Sequence, residues 1–138
     1  MQIDLIRLLV DFGLFVLIWM VQLVVYPSFS YFSKQELINW HQLYTPRITL
    51  MVFPLMAGQL LTAIFQLAKD QDLFAVLSLI IIVGMWLLTF FIFVPTHNKI
   101  TSEEVDDEIC AKLVKFNWLR TAGWTFLFIW NFLQYYFR

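Results

Sequence analysis

The residues best suited to chemistry gather toward one end of a very apolar chain. Asn117, Arg120, Thr121 and Trp124 follow i, i+3, i+4, i+7 spacing, which puts them on one stripe of a helix. The same stripe carries Ile109, Leu113 and Phe116 before it and Asn131 after it, so Arg120 points along an apolar, inward seam. Arg47, His41, Tyr44, His97, Asn98 and Tyr26 fall at the same depth, each near the end of an apolar run. Arginine offers a fork of donors to an anionic or planar group, and histidine can move a proton near neutral pH. Together these residues outline a pocket mouth. His41 and His97 are the candidate acid/base groups. Arg47, Arg120, Asn98, Asn117, Tyr44, Trp124 and Tyr26 are the candidate ligand-binding groups. The alternative for Arg120 is an arginine reaching to lipid phosphate, and for each histidine a polar interfacial residue. Two histidines are too few for a metal site; a carboxylate such as Glu103 would have to join them.

A second cluster lies at the opposite end. Asp4, Arg7 and Asp11 are spaced i, i+3, i+7, and Gln22 extends that stripe. Asp11 falls about one turn inside the first apolar run, where a carboxylate is costly, and Arg7 at i−4 is its natural partner. The pair reads either as a local ion pair that orients the helix or as part of a proton path. Gln59, Thr62 and Gln66 form a short polar stripe suited to hydrogen bonding between helices.

These groups need a scaffold, and the composition dictates its kind. The 138 residues are 61% hydrophobic, 19% aromatic and only 14% charged, with a mean hydropathy of +0.74. A soluble domain of this size leaves much of its surface exposed and cannot hide so much apolar area. Hydrocarbon must be the solvent, and the expected fold is all-α: an integral membrane four-helix bundle forming a single domain over 1–138. A bilayer core about 30 Å thick takes roughly 20 apolar residues as a helix. Four segments meet this, at about 8–26, 48–68, 73–94 and 119–137. The prolines at 27 and 95 are expected to end the first and third.

Short interfacial helices are expected at about 34–44 and 102–118. Ser33 and Glu36 match a capping box, and Leu37, Trp40, His41 and Tyr44 share one face of the helix that follows. Thr45-Pro46 should then cap and restart the chain. A second capping box is read at Thr101-Ser102-Glu103-Glu104, with the acidic run after it at a solvated helix start. Lys69-Asp70-Gln71-Asp72 leaves room only for a tight hairpin. Pro54 should kink the second helix, and with Gly58 one turn on it should let another helix approach closely or open a small cavity.

Even numbers of spans place both termini on one side. That side carries Arg7, Lys69 and Arg138 against Lys34, Arg47, Lys99, Lys112, Lys115 and Arg120 on the other, which favours cytoplasmic long loops. The N-terminal run lacks a basic leader and a cleavage site, so it is expected to be retained. One cysteine, Cys110, allows no intrachain disulfide. The net charge of −1 gives no reason to expect nucleic acid. No nucleophile elbow, phosphate loop, dinucleotide fingerprint or zinc-protease motif occurs, and no cofactor is called for.

Two segments add a family resemblance. VPTHNKI at 94–100 and NWLRTAGWTF at 117–126 resemble the turn after the third helix and the start of the fourth in the anthrone-oxygenase-like family of small four-span membrane proteins. The matching positions are Pro95, Asn98, Asn117, Arg120, Thr121 and Trp124. The resemblance implies a four-helix bundle and, for a few members, cofactor-independent oxidation of polycyclic phenolic substrates. Trp40-His41-Gln42-Leu43-Tyr44 has no counterpart there. Three functions follow: a protein that binds or converts a lipid-soluble small molecule, an assembly subunit that packs on itself or on a membrane partner, and a transporter or proton-conducting subunit using Asp11.

Overall fold

The computed structural model describes residues 2–102 and 106–137. Four helices run up and down through it: α1 (Gln2–Tyr31), α2 (Lys34–Asp70), α3 (Leu73–Thr101) and α4 (Asp107–Phe137). There is no strand among the described residues. α1, α2 and α3 are each long and apolar enough to cross a bilayer. α1 packs along both α2 and α4, and α3 closes the bundle against them.

Local chemistry sets the helix ends. Ser33 caps α2 through the expected box: its hydroxyl accepts from the Glu36 amide, and Glu36 accepts from the Ser33 amide at 3.0 Å. Gln71 turns left-handed at φ 44°, its amide bonding back to the Leu67 carbonyl, and Asp72 caps α3 by accepting from the Ala75 amide at 2.8 Å. This is the expected tight hairpin. Asp106 caps α4 by accepting from the Ile109 amide at 2.7 Å. Thr101, expected to open a capping box, is instead the last residue of α3, and the Ser102 amide closes that helix by bonding to the Asn98 carbonyl. Glu103 and Glu104, the rest of that box, lie outside the described residues.

Three prolines depart from expectation, each for a physical reason. Pro46 does not restart the chain; α2 is one continuous 37-residue helix, so there is no separate interfacial helix at 34–44. Pro46 removes the bond to the Gln42 carbonyl, but Gln42 is exposed, where the loss is small. At about 1.5 Å per residue this helix outreaches the hydrocarbon. Pro27 and Pro95 do not end their helices either. Each follows a widened π turn, Val21–Val25 in α1 and Thr89–Phe93 in α3. The Tyr26 amide bonds five residues back to Val21, and the Val94 amide to Thr89. The wider turn carries the carbonyl that a proline ring would strike out of its way, so the helix continues. It also rotates the following residues by roughly 100° relative to an unbroken α-helix, which reorients Tyr26 and His97.

The bundle is inside-out by the standards of a water-soluble protein. Its surface carries Leu50, Phe65, Leu73, Phe91 and Phe137, each more than half exposed. Its interior holds Arg7, Asp11, Gln22, His41, Gln59, Asn117, Arg120 and Asn131. This distribution suits hydrocarbon outside and internally satisfied polar groups inside. Two apolar layers separate the polar ones. One is built on Leu14, Ile18, Met56, Ile82 and Leu127, the other on Val21, Phe29, Leu37, Phe93 and Leu113. Gly13 lets α1 approach α2 closely, since a Cβ there would lie 3.1 Å from Leu55.

Asp11 ties three helices together. The fully buried carboxylate accepts from Arg7 Nε at 3.1 and 3.0 Å, from Gln59 Nε2 at 2.6 Å and from Asn131 Nδ2 at 2.9 Å. Arg7 reaches on to Gln66 at 3.0 Å, and Gln66 to Asp4 at 3.1 Å. Asp11→Leu, by stranding the buried Arg7, should cost about 3–5 kcal/mol. Replacing both Arg7 and Asp11 by leucine should cost less than Asp11→Leu alone. Thermal unfolding in detergent checks the order, and an Asp11→Leu variant as stable as the parent would remove this role.

Candidate functional site

On the other side of the apolar layer, the bundle encloses a cavity of about 320 Å³. Its floor and walls are apolar: Leu17 and Val21 from α1, Val52 and Met56 from α2, Trp86 and Phe93 from α3. Its polar groups converge at one end, where Tyr26, Tyr44, Thr45, His97, Asn98 and Arg120 line it. Thr49 and Phe53 of α2 and Phe90 and Val94 of α3 line the cavity and are also exposed on the outer face. The mouth therefore opens sideways between α2 and α3, through a rim of aromatic side chains that includes the Phe53–Trp86–Phe90 cluster.

Arg120 dominates the polar end. It is only 6% exposed. Its guanidinium lies over the Phe93 ring at 4.3 Å and the Trp124 ring at 4.8 Å, an aromatic slot that suits a weakly hydrated cation. The Tyr26 and Tyr44 hydroxyls lie beside it. It forms no ion pair among the described residues, and its buried Nε has no hydrogen-bond partner. Among the described residues the buried charged groups are thus two arginines and one carboxylate, and the carboxylate is taken by Arg7.

From Tyr26 a continuous chain of hydrogen bonds leads out of the cavity. The Tyr26 hydroxyl is 3.0 Å from His97 Nε2, His97 Nδ1 is 2.7 Å from His41 Nε2, and His41 Nδ1 is 3.1 Å from the Thr101 hydroxyl. Thr45 flanks His41 at 3.2 Å. The two imidazoles stack with centroids 4.9 Å apart. Thr101 is exposed, so the chain runs from the cavity wall to the rim of the bundle. The two imidazole nitrogens that face each other are bonded to each other, and no cluster of three metal-binding side chains forms among the described residues. Glu103 lies outside them.

The structure brings together Tyr26, His41, Tyr44, His97 and Arg120, with Asn98 at the rim. Other candidates lie elsewhere. Arg47 is exposed on α2 and does not line the cavity. Asn117 donates to Gln22 Oε1 at 3.0 Å, beside Thr121 donating to the same oxygen at 3.2 Å, so it clamps α4 to α1. Trp124 supports Arg120 from outside the cavity lining and gives its indole N–H to Gln59 Oε1 at 3.2 Å. Four contributors were not foreseen: Phe93, Trp86, Thr45 and Thr101. Spacing could have found them. Trp86, Phe90 and Phe93 follow i, i+4, i+7, and each threonine sits four residues after a histidine.

Compared with known proteins, the chain matches no family model, no curated protein and no solved structure.

The Gln22–Asn117 clamp can be isolated by a double-mutant cycle. Gln22→Ala and Asn117→Ala should each destabilise the bundle, with a coupling of about 0.6–2 kcal/mol. Thermal unfolding of the four proteins in detergent measures it, and strictly additive losses would contradict the contact.

Proposed function

We propose that this protein binds a lipid-soluble small molecule through an anionic oxygen head, taken up from the bilayer into the cavity against Arg120. One observation carries the reading: a buried guanidinium with no counter-ion among the described residues stands at the polar end of an apolar cavity. An uncompensated buried charge costs several kcal/mol. Arginine keeps its proton, so the favourable remedy is an anion in the cavity. Tyr26, Tyr44 and Asn98 would fix the head, and the sideways mouth would accept a hydrophobic body or tail. A carboxylate on a hydrocarbon chain and a planar phenolate, the kind of group the family resemblance implies, present the same chemistry to Arg120. Conversion of the ligand is an extension of this reading, with His97 and His41 as acid/base groups.

The membrane reading extends to α4, whose 31 residues can also cross the bilayer. With Arg7 and Arg120 inside the bundle, the surface charges Lys34, Arg47, Lys99, Lys112 and Lys115 stand against Lys69 among the described residues. That bias favours cytoplasmic long loops. The transport reading is weaker. Asp11 connects toward the cavity only through Gln59, Trp124 and Arg120, and amide, indole and guanidinium groups do not hand on protons. An assembly role would rest on the exposed aromatic faces, which hydrocarbon suits equally well.

The test is retention of a defined acid. Purified protein is incubated with oleic acid and weighed intact by native mass spectrometry. Arg120→Gln should weaken binding roughly ten- to hundredfold, the worth of a charge-assisted hydrogen bond. Arg47→Gln, on the outer surface, should not. Equal retention by the parent and Arg120→Gln would overturn the proposal.

A further inference from the structure

The chain Tyr26–His97–His41–Thr101 has a direction. With the Thr101 hydroxyl donating to the His97 carbonyl at 3.2 Å and the Thr45 oxygen, 3.2 Å from the same nitrogen, also taken as acceptor, the matching tautomer of His41 carries its proton on Nδ1. His41 Nε2 is then an acceptor, which makes His97 Nδ1 the donor across their 2.7 Å contact. His97 Nε2 is left to accept from the Tyr26 hydroxyl. The proton of Tyr26 is thereby committed to His97, and its oxygen lone pairs face the cavity and Arg120. The polar end therefore offers a fixed cation and, next to it, an acceptor backed by two imidazoles. Among the described residues, the titratable and charged groups around the pair are Tyr26 from α1, Tyr44 from α2 and Arg120 from α4.

Building on the binding reading, we infer that the ligand enters as a neutral acid and is trapped as its anion, its proton leaving along this chain to the rim at Thr101. The class is a weakly acidic lipid-soluble molecule, such as a carboxylic acid or an acidic phenol. The acid crosses the aromatic mouth between α2 and α3 uncharged, which avoids moving a carboxylate through hydrocarbon. Its O–H bond breaks as Tyr26 Oη takes the proton. The Tyr26 hydroxyl proton passes to His97 Nε2, and the His97 Nδ1 proton to His41 Nε2. His41, briefly carrying two protons, releases the one on Nδ1 past Thr101 to water. The oxyanion left behind pairs with Arg120, so one proton leaves for each acid bound and no charge is created in the bundle without its partner. Unloading runs the same steps backward.

A relay is a kinetic device, which separates it from a structural contact. With oleic acid as the probe, loading and unloading are followed by stopped-flow tryptophan fluorescence on the whole protein in detergent. Tyr26→Phe and His97→Gln should slow both by about a hundredfold, the usual contribution of positioned proton transfer. The affinity should change far less than either rate. The parent protein should load more slowly in heavy water, and that difference should vanish in both variants. Oleyl sulfate brings no proton, so either variant should slow its loading far less than that of oleic acid. Faster release with slower binding would mean that Tyr26 and His97 merely shape the cavity, and would overturn the relay. So would unaltered rates, or a parent without a solvent isotope effect. Loss of oleic acid binding in Arg120→Gln addresses the anion site itself and is read separately. Tyr26→Phe removes a single oxygen, so it keeps the test available if His97→Gln misfolds.

Discussion

Hydrocarbon offers no hydrogen bonds, and that constraint governs this molecule. A polar group within the bundle is costly unless it finds a partner inside the protein. The Asp11 carboxylate shows the solution at its most complete: four contacts from Arg7, Gln59 and Asn131 bind α1, α2 and α4 at one point. Gln22 repeats it higher up with Asn117 and Thr121. The apolar side chains, which would direct packing in water, mostly face outward and discriminate little between neighbouring helices and lipid. Position within the bundle is therefore set by polar contacts, and the gaps between them by Leu14, Ile18 and Leu127.

Against that background Arg120 stands out. Where Arg7 is neutralised by a carboxylate, Arg120 has the Phe93 and Trp124 rings and the neutral Tyr26 and Tyr44 hydroxyls beside it. Rings soften the desolvation of a cation without cancelling its charge. Trp124 links the two regions, because its indole N–H is held by Gln59, which also donates to Asp11. The network that assembles the helices thus orients the ring beneath the cavity's cation. Stability and the candidate site share one side chain there, so substitutions at Gln59 act on both.

Much of this was legible in the chain. Hydropathy gave the helices, and the stripe through Asn117, Arg120 and Trp124 indicated the buried face of α4. The Arg7–Asp11 pair followed from i, i+4 spacing. What sequence could not resolve was the register of one helix against another. Asn117 and Arg120 lie three residues apart on one face, yet the first meets Gln22 of α1 and the second a cavity. The prolines misled for a related reason. Pro27 and Pro95 read as terminators because their effect on an α-helix is severe, whereas a π turn, which has no sequence signature, removes the clash. Those same turns orient Tyr26 and His97, so the feature hardest to foresee is also the one that shapes the site.

The proposed anion site at Arg120 can be examined directly by growing crystals from a lipid phase with a fatty acid brominated near its carboxyl group and locating the bromine by anomalous scattering. The bromine should lie inside the cavity between α2 and α3, with the carboxylate oxygens within hydrogen-bonding distance of Arg120 and close to Tyr26. A bromine found only at the outer surface near Arg47, with the cavity filled by uncharged lipid chain, would contradict it.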